Sequence, residues 1–100
     1  MAQLTAAERL AKVKVAIYGT SEHSFNDEQL QFYIDEVLEE LVDGGVAREI
    51  AESNAAVGCI AIGVNDLWNY SSGGVRHSDQ FNKRLIQLSC KKVKSNVQTE

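Results

Sequence analysis

Ala55-Ala56-Val57-Gly58-Cys59-Ile60-Ala61-Ile62-Gly63-Val64-Asn65-Asp66-Leu67-Trp68-Asn69-Tyr70 decides the fold. It is apolar on nearly every side, and a helix of that kind has to be surrounded by its neighbours. Val57 to Val64 taken alone also suits a β-strand, because a short apolar run does not separate the two. The length of the whole stretch and its alanines favour helix. Ser53 or Asn54 stands where a cap belongs. Gly58 and Gly63 each cost about 1 kcal/mol against alanine inside a helix, so their presence predicts close approach of a neighbouring helix. Asn65 and Asp66 interrupt the apolar surface, and a buried carboxylate needs a partner. Arg84 or the Ser78 region is the expected one, making Asp66 and Arg84 a structural clamp and not a catalytic pair.

The segments that flank this core helix read as amphipathic helices. Thr5 and Glu8 form a capping box for a first helix near residues 5 to 18, with Leu10, Val13 and Ile17 facing inward and Arg9, Lys12 and Lys14 largely facing water. In the next segment Asn26 reads as an N-cap with Gln29 completing the box, and Phe25 with Leu30 reads as a hydrophobic staple. Leu30, Ile34, Val37, Leu38 and Leu41 make one apolar stripe there, opposite Asp35, Glu36, Glu39 and Glu40. Gly44 and Gly45 then supply a left-handed stop, with Val46 packing back. A short turn is expected at Ala47 to Ala51. After Ser71-Ser72-Gly73-Gly74, Ser78 caps a last helix whose stripe is Phe81, Leu85 and Leu88, with Ile86 beside it and Lys91 and Lys92 at its end.

The chain has 100 residues, no proline and 44% hydrophobic content, enough for one core and too little for two. The expected fold is all-α: a compact bundle of four main helices with a short extra turn, over residues 1–92, and an extended tail over 93–100. The tail lacks periodicity and is expected to order only on a partner. Charge is distributed unevenly, with +2 over residues 1–21, −9 over 22–52 and +3 over 53–100. Such stretches are ordinarily solvated helix faces, and they also suit head-to-tail contacts between copies.

Chemistry finds little foothold. Cys59 and Cys90 stand apart, which fits a reducing compartment and packing roles for both. His23 and His77 have no ligand partners at metal spacing. The glycine pairs lack the pattern of a phosphate loop. The clustered carboxylates are those of a solvated helix face. Neither a secretory signal nor a membrane span is expected, so the chain reads as soluble and intracellular. It is expected to be no enzyme and to need no cofactor or metal. Lys83, Arg84, Lys91, Lys92 and Lys94 make the last helix and tail basic. A small DNA-binding regulator is therefore the alternative, although Ser71 to Ser78 is long for the turn of a helix-turn-helix.

Several of these segments together resemble small head-tail connector proteins of tailed bacteriophages. They are Leu4-Thr5-Ala6-Ala7-Glu8-Arg9, Asp27-Glu28-Gln29-Leu30, Tyr33-Ile34-Asp35-Glu36-Val37, Gly44-Gly45-Val46, Gly63-Val64-Asn65-Asp66-Leu67-Trp68-Asn69-Tyr70 and Arg84-Leu85-Ile86-Gln87-Leu88, spread over roughly residues 4 to 92. The resemblance implies a structural virion protein of the neck, assembled in the host cytoplasm. It would form a ring, commonly of twelve copies, that binds beneath the portal protein and joins the head to a stopper or tail-completion protein. DNA would pass through the channel without sequence-specific binding, and no membrane would be involved. On this reading the surface of Asp35, Glu36, Glu39, Glu40 and Asp43 faces the channel or a basic neighbour. The tail, through Lys91, Lys92, Val93, Lys94 and Val97, docks on the portal.

Overall fold

The computed structural model describes residues 3–22, 26–70 and 78–91, without the side chains of 69 and 70. Among these residues five α-helices follow one another: α1 (Ala6–Tyr18), α2 (Asp27–Asp43), α3 (Arg48–Ala51), α4 (Val57–Tyr70) and α5 (Asp79–Ser89). A 3-10 turn at Asn54–Ala56 leads into α4. The protein is all-α, and α4 is its centre, packed against α1, α2 and α5.

Local signals set most of the boundaries. The capping box at α1 is complete: Thr5 Oγ1 accepts from the Glu8 amide at 3.1 Å, and Glu8 Oε1 accepts from the Thr5 amide at 2.8 Å. Gly19, at φ +83°, ends the helix in a conformation that side chains avoid. Past α2 the left-handed residue is Gly45 (φ +106°) and not Gly44, and the Val46 amide returns to the Leu41 carbonyl at 3.0 Å. Ser53 caps the turn before α4, and Ser78 Oγ caps α5 by accepting from the Phe81 amide at 3.2 Å.

The start of α2 departs from expectation. Asn26 is itself left-handed (φ +65°) and makes no side-chain cap. Gln29 does not close a box, since its amide reaches Tyr33 Oη at 3.4 Å. The helix end is served instead by charge: Asp27, in the first turn, accepts a 2.8 Å ion pair from Lys14 Nζ. Phe25, the staple residue, and both histidines lie outside the described residues.

Lys14 marks a second departure, because the first helix buries two of the bases expected in water. Lys14 and Arg9 are each only 6% exposed. Arg9 Nη2 donates to the carbonyls of Leu4 (2.9 Å) and Glu52 (3.2 Å), so its guanidinium fastens the start of α1 to the end of α3. An antiparallel bridge between Gln3 and Ser53 and a 2.9 Å bond from the Leu4 amide to Glu52 complete that junction. Both cations have stems long enough to lie along apolar surface and heads that find partners, which hydrophobic spacing does not reveal.

The core joins Val13 of α1 to Leu30, Ile34, Val37, Leu38 and Leu41 of α2. Ile60, Val64 and Leu67 of α4 and Phe81 and Leu88 of α5 complete it. Gly63 is where three helices meet: a Cβ there would lie 2.7 Å from both Val37 Cγ1 and Phe81 Cε1. Gly58 differs, facing only the Arg84 side chain at 3.1 Å. Ile86, beside the α5 stripe, remains 60% exposed.

Candidate functional site

Asp66 is half-buried near the C-terminal end of α4, and its Oδ2 accepts from the Ser78 amide at 2.8 Å and from Ser78 Oγ at 2.9 Å. A carboxylate thus sits against the N-terminus of α5, where the helix dipole favours negative charge. It also orients the hydroxyl that caps that helix. Arg84 is not the partner. It lies on the exposed side of α5, over Gly58. Of the two partners expected for Asp66, the Ser78 region is the one it meets, so the clamp is a carboxylate on a helix cap and not an ion pair with Arg84.

The acidic side of α2 is largely open to solvent, with Asp35, Glu39 and Asp43 exposed and Glu36 and Glu40 half-buried. Glu39 already has a base of its own chain: Arg48 donates to its two oxygens at 2.8 and 3.0 Å. That hydrogen-bonded guanidinium holds the Glu39 carboxyl below the usual range. Asp35 Oδ1 accepts from Gln31 at 2.9 Å. Among the described residues Glu36 and Asp43 form no ion pair, whereas Glu39 is engaged by Arg48.

An exposed aromatic ring stands among these acids. Phe32 is 59% exposed, and Glu28, Asp35 and Glu36 are its neighbours at helical spacing. Its ring centroid is 6.0 Å from that of Tyr33, which in turn makes an edge-on contact with Trp68 of α4 at 5.6 Å.

On another side of the molecule α1, α4 and α5 enclose an open groove of about 400 Å³. Ala16 and Ile17 form one wall and Gly58, Ala61 and Ile62 the floor, with the exposed Asn65 and Arg84 beside them. A smaller cleft of about 130 Å³ continues past Arg84 to Lys91. No carboxylate among the described residues forms an ion pair with Arg84. Spacing along single helices did not disclose this groove, because its walls come from three elements. Phe32 was not singled out in the sequence, although the helical period that places it opposite the α2 stripe was the signal that could have found it.

The thiols differ in setting. Cys59 is buried, and desolvation pushes its pKa up to about 11, while Cys90 is exposed. Of the tail residues expected to dock, Lys91 is exposed at the end of the described chain, and Lys92, Val93, Lys94 and Val97 lie outside it. Among the described residues no three His, Cys, Asp or Glu side chains converge as a metal site requires. No helix is long and apolar enough there to cross a membrane. The class that the described residues define is an all-helical bundle bearing an acidic face and an apolar groove flanked by a base. Compared with protein-family models, curated proteins and solved structures, the chain matches none.

Proposed function

We propose that this chain is a structural adaptor of a tailed-bacteriophage neck, a subunit of a ring that binds beneath the portal and bridges the head to the stopper or tail. The observation that carries the reading is the placement of the acidic α2 face and the groove beside Arg84 on opposite sides of one small bundle. A surface and its complement that point apart produce head-to-tail contacts, which close into a ring when the rotation permits. The segments behind the resemblance add weight, because they are the ones that assemble the bundle. Gly63 lets α2 and α5 reach α4, Asp66 fixes the start of α5, and Trp68 meets Tyr33.

In such a ring the remaining carboxylates of α2 would either repel phosphates along a channel or meet a basic neighbour. The test is native mass measurement or imaging of the full chain mixed with its portal. The expected result is a ring of this chain attached to the portal; a chain that stays free at every concentration overturns the proposal. Lys83 and Arg84 on the exposed side of α5 give the regulator reading its own signature, DNA binding that weakens steeply with salt. That result in the absence of portal binding would replace one reading with the other.

A further inference from the structure

We infer that Phe32 of one copy seats in the groove between α1, α4 and α5 of the next, with Arg84 meeting the carboxylates around it. The inference rests on the adaptor reading and names the two surfaces that would join its subunits.

Geometry makes the two surfaces face apart. At roughly 100° per residue, Gly58, Ala61, Ile62 and Asn65 fall on one side of α4, and Ile60, Gly63, Val64 and Leu67 on the other. The second side is the one that α2 covers, as the contact of Gly63 with Val37 requires. In α2 the buried stripe of Leu30, Ile34, Val37 and Leu41 faces inward, and Phe32 lies about opposite to it. A subunit therefore presents the Phe32 face outward on one side and the groove outward on the other. Two copies joined this way leave one groove and one Phe32 face unsatisfied, so the contact propagates.

The chemistry of the two surfaces matches. Phe32 is a large exposed ring, bordered at i−4, i+3 and i+4 by Glu28, Asp35 and Glu36. The groove has an apolar floor of Ala61 and Ile62, and Arg84 lies directly over Gly58 at its edge, its Nη1 3.1 Å from where a Cβ would stand. Lys12, exposed one turn before Ala16 on α1, adds a second base to the same side. An aromatic anchor in an apolar recess, surrounded by opposite charges that exclude water, is the usual composition of an interface centre. Arg84 can also lie across the ring face as it reaches the carboxylates. Glu39 is not needed, being held by Arg48.

The experiment places photo-reactive p-benzoylphenylalanine at position 32 of the full chain, mixes it with a tagged second copy and maps the cross-links after illumination. Position 32 is exposed, so the substitution leaves the fold intact. Cross-links to the 16–17 or 58–65 segments of the second copy are expected, and they should fall about tenfold or more when that copy carries Arg84→Glu. Glu36→Arg in the photo-reactive chain should restore capture by the Arg84→Glu copy. Absence of cross-links between copies, or cross-links confined to other segments, overturns the inference. A Phe32→Asp chain that still builds rings on the portal would overturn this contact and leave the adaptor reading standing. Cross-links at the groove from a chain that never engages the portal would do the reverse.

Discussion

At Gly63 an added methyl group would press on Val37 and Phe81, which are themselves buried at 0% and 1% exposure and have nowhere to go. Gly63→Ala should therefore destabilise the protein by about 1–3 kcal/mol, against a helix-propensity gain of about 1 kcal/mol. The same change at Gly58 meets only the flexible end of Arg84. Gly58→Ala should be neutral or stabilising by up to about 1 kcal/mol, and thermal melting of the two variants checks the contrast. Cys59 adds a pH dependence. Its folded pKa of about 11 lies above the ordinary thiol value of 9.0, so the folded state holds a proton that the unfolded chain gives up first. The stability linked to it is complete below pH 9 and is lost as pH rises toward 11, on the order of 2–3 kcal/mol in all. Melting across that range should show a steeper loss in the native chain than in Cys59→Ala. A thiol reagent near neutral pH should label Cys90 quickly and Cys59 only on unfolding.

Between elements, two polar contacts determine how helices meet. Arg9 supplies two hydrogen bonds to carbonyls that belong to different parts of the chain, Leu4 and Glu52. Arg9→Ala should cost about 2–4 kcal/mol in denaturant unfolding, and Arg9→Lys should recover only part of it, because an ammonium lacks the planar fork. Asp66 joins α4 to α5 through Ser78. Loss of its two hydrogen bonds to Ser78 alone should make Asp66→Ala cost about 1–3 kcal/mol. Hydrogen exchange should localise that loss at the first turn of α5. If Asp66→Ala melts as the native chain does, the carboxylate has no part in fixing that helix.

For the molecule as a whole, charge should govern association more than folding. A contact of carboxylates with Arg84 and Lys12 is screened as ionic strength rises, so self-association should weaken between roughly 0.05 and 0.5 M salt while the melting temperature changes little. Sedimentation and melting on the same samples separate the two effects. The segment 93–100 is the other expected determinant of assembly. Its deletion should leave melting of the free chain nearly unchanged and weaken attachment to the portal; full attachment by the shortened chain would place that contact elsewhere.

Helix existence, helix order and the α2 stripe follow from the sequence alone, because apolar period and capping chemistry are local properties and neighbouring residues suffice to express them. Close approach was expected at both Gly58 and Gly63, and only at Gly63 do two neighbouring helices come close, because Gly58 lies on the side of α4 that faces Arg84. Whether a polar residue is buried or paired is not local. Arg9 and Lys14 carry the hydropathy of surface residues, and only the arrival of Glu52 and Asp27 from other helices supplies the partners that let them go inside. The sequence offered Asp66 two partners, the Ser78 region and Arg84, and the packing of α5 on α4 selected Ser78 and left Arg84 beside an open groove. The sequence by itself thus determined which segments are helices and which apolar stripes they turn inward. The tertiary structure alone decided which charges are neutralised within the chain and which face outward, because that depends on distances between residues far apart in the sequence.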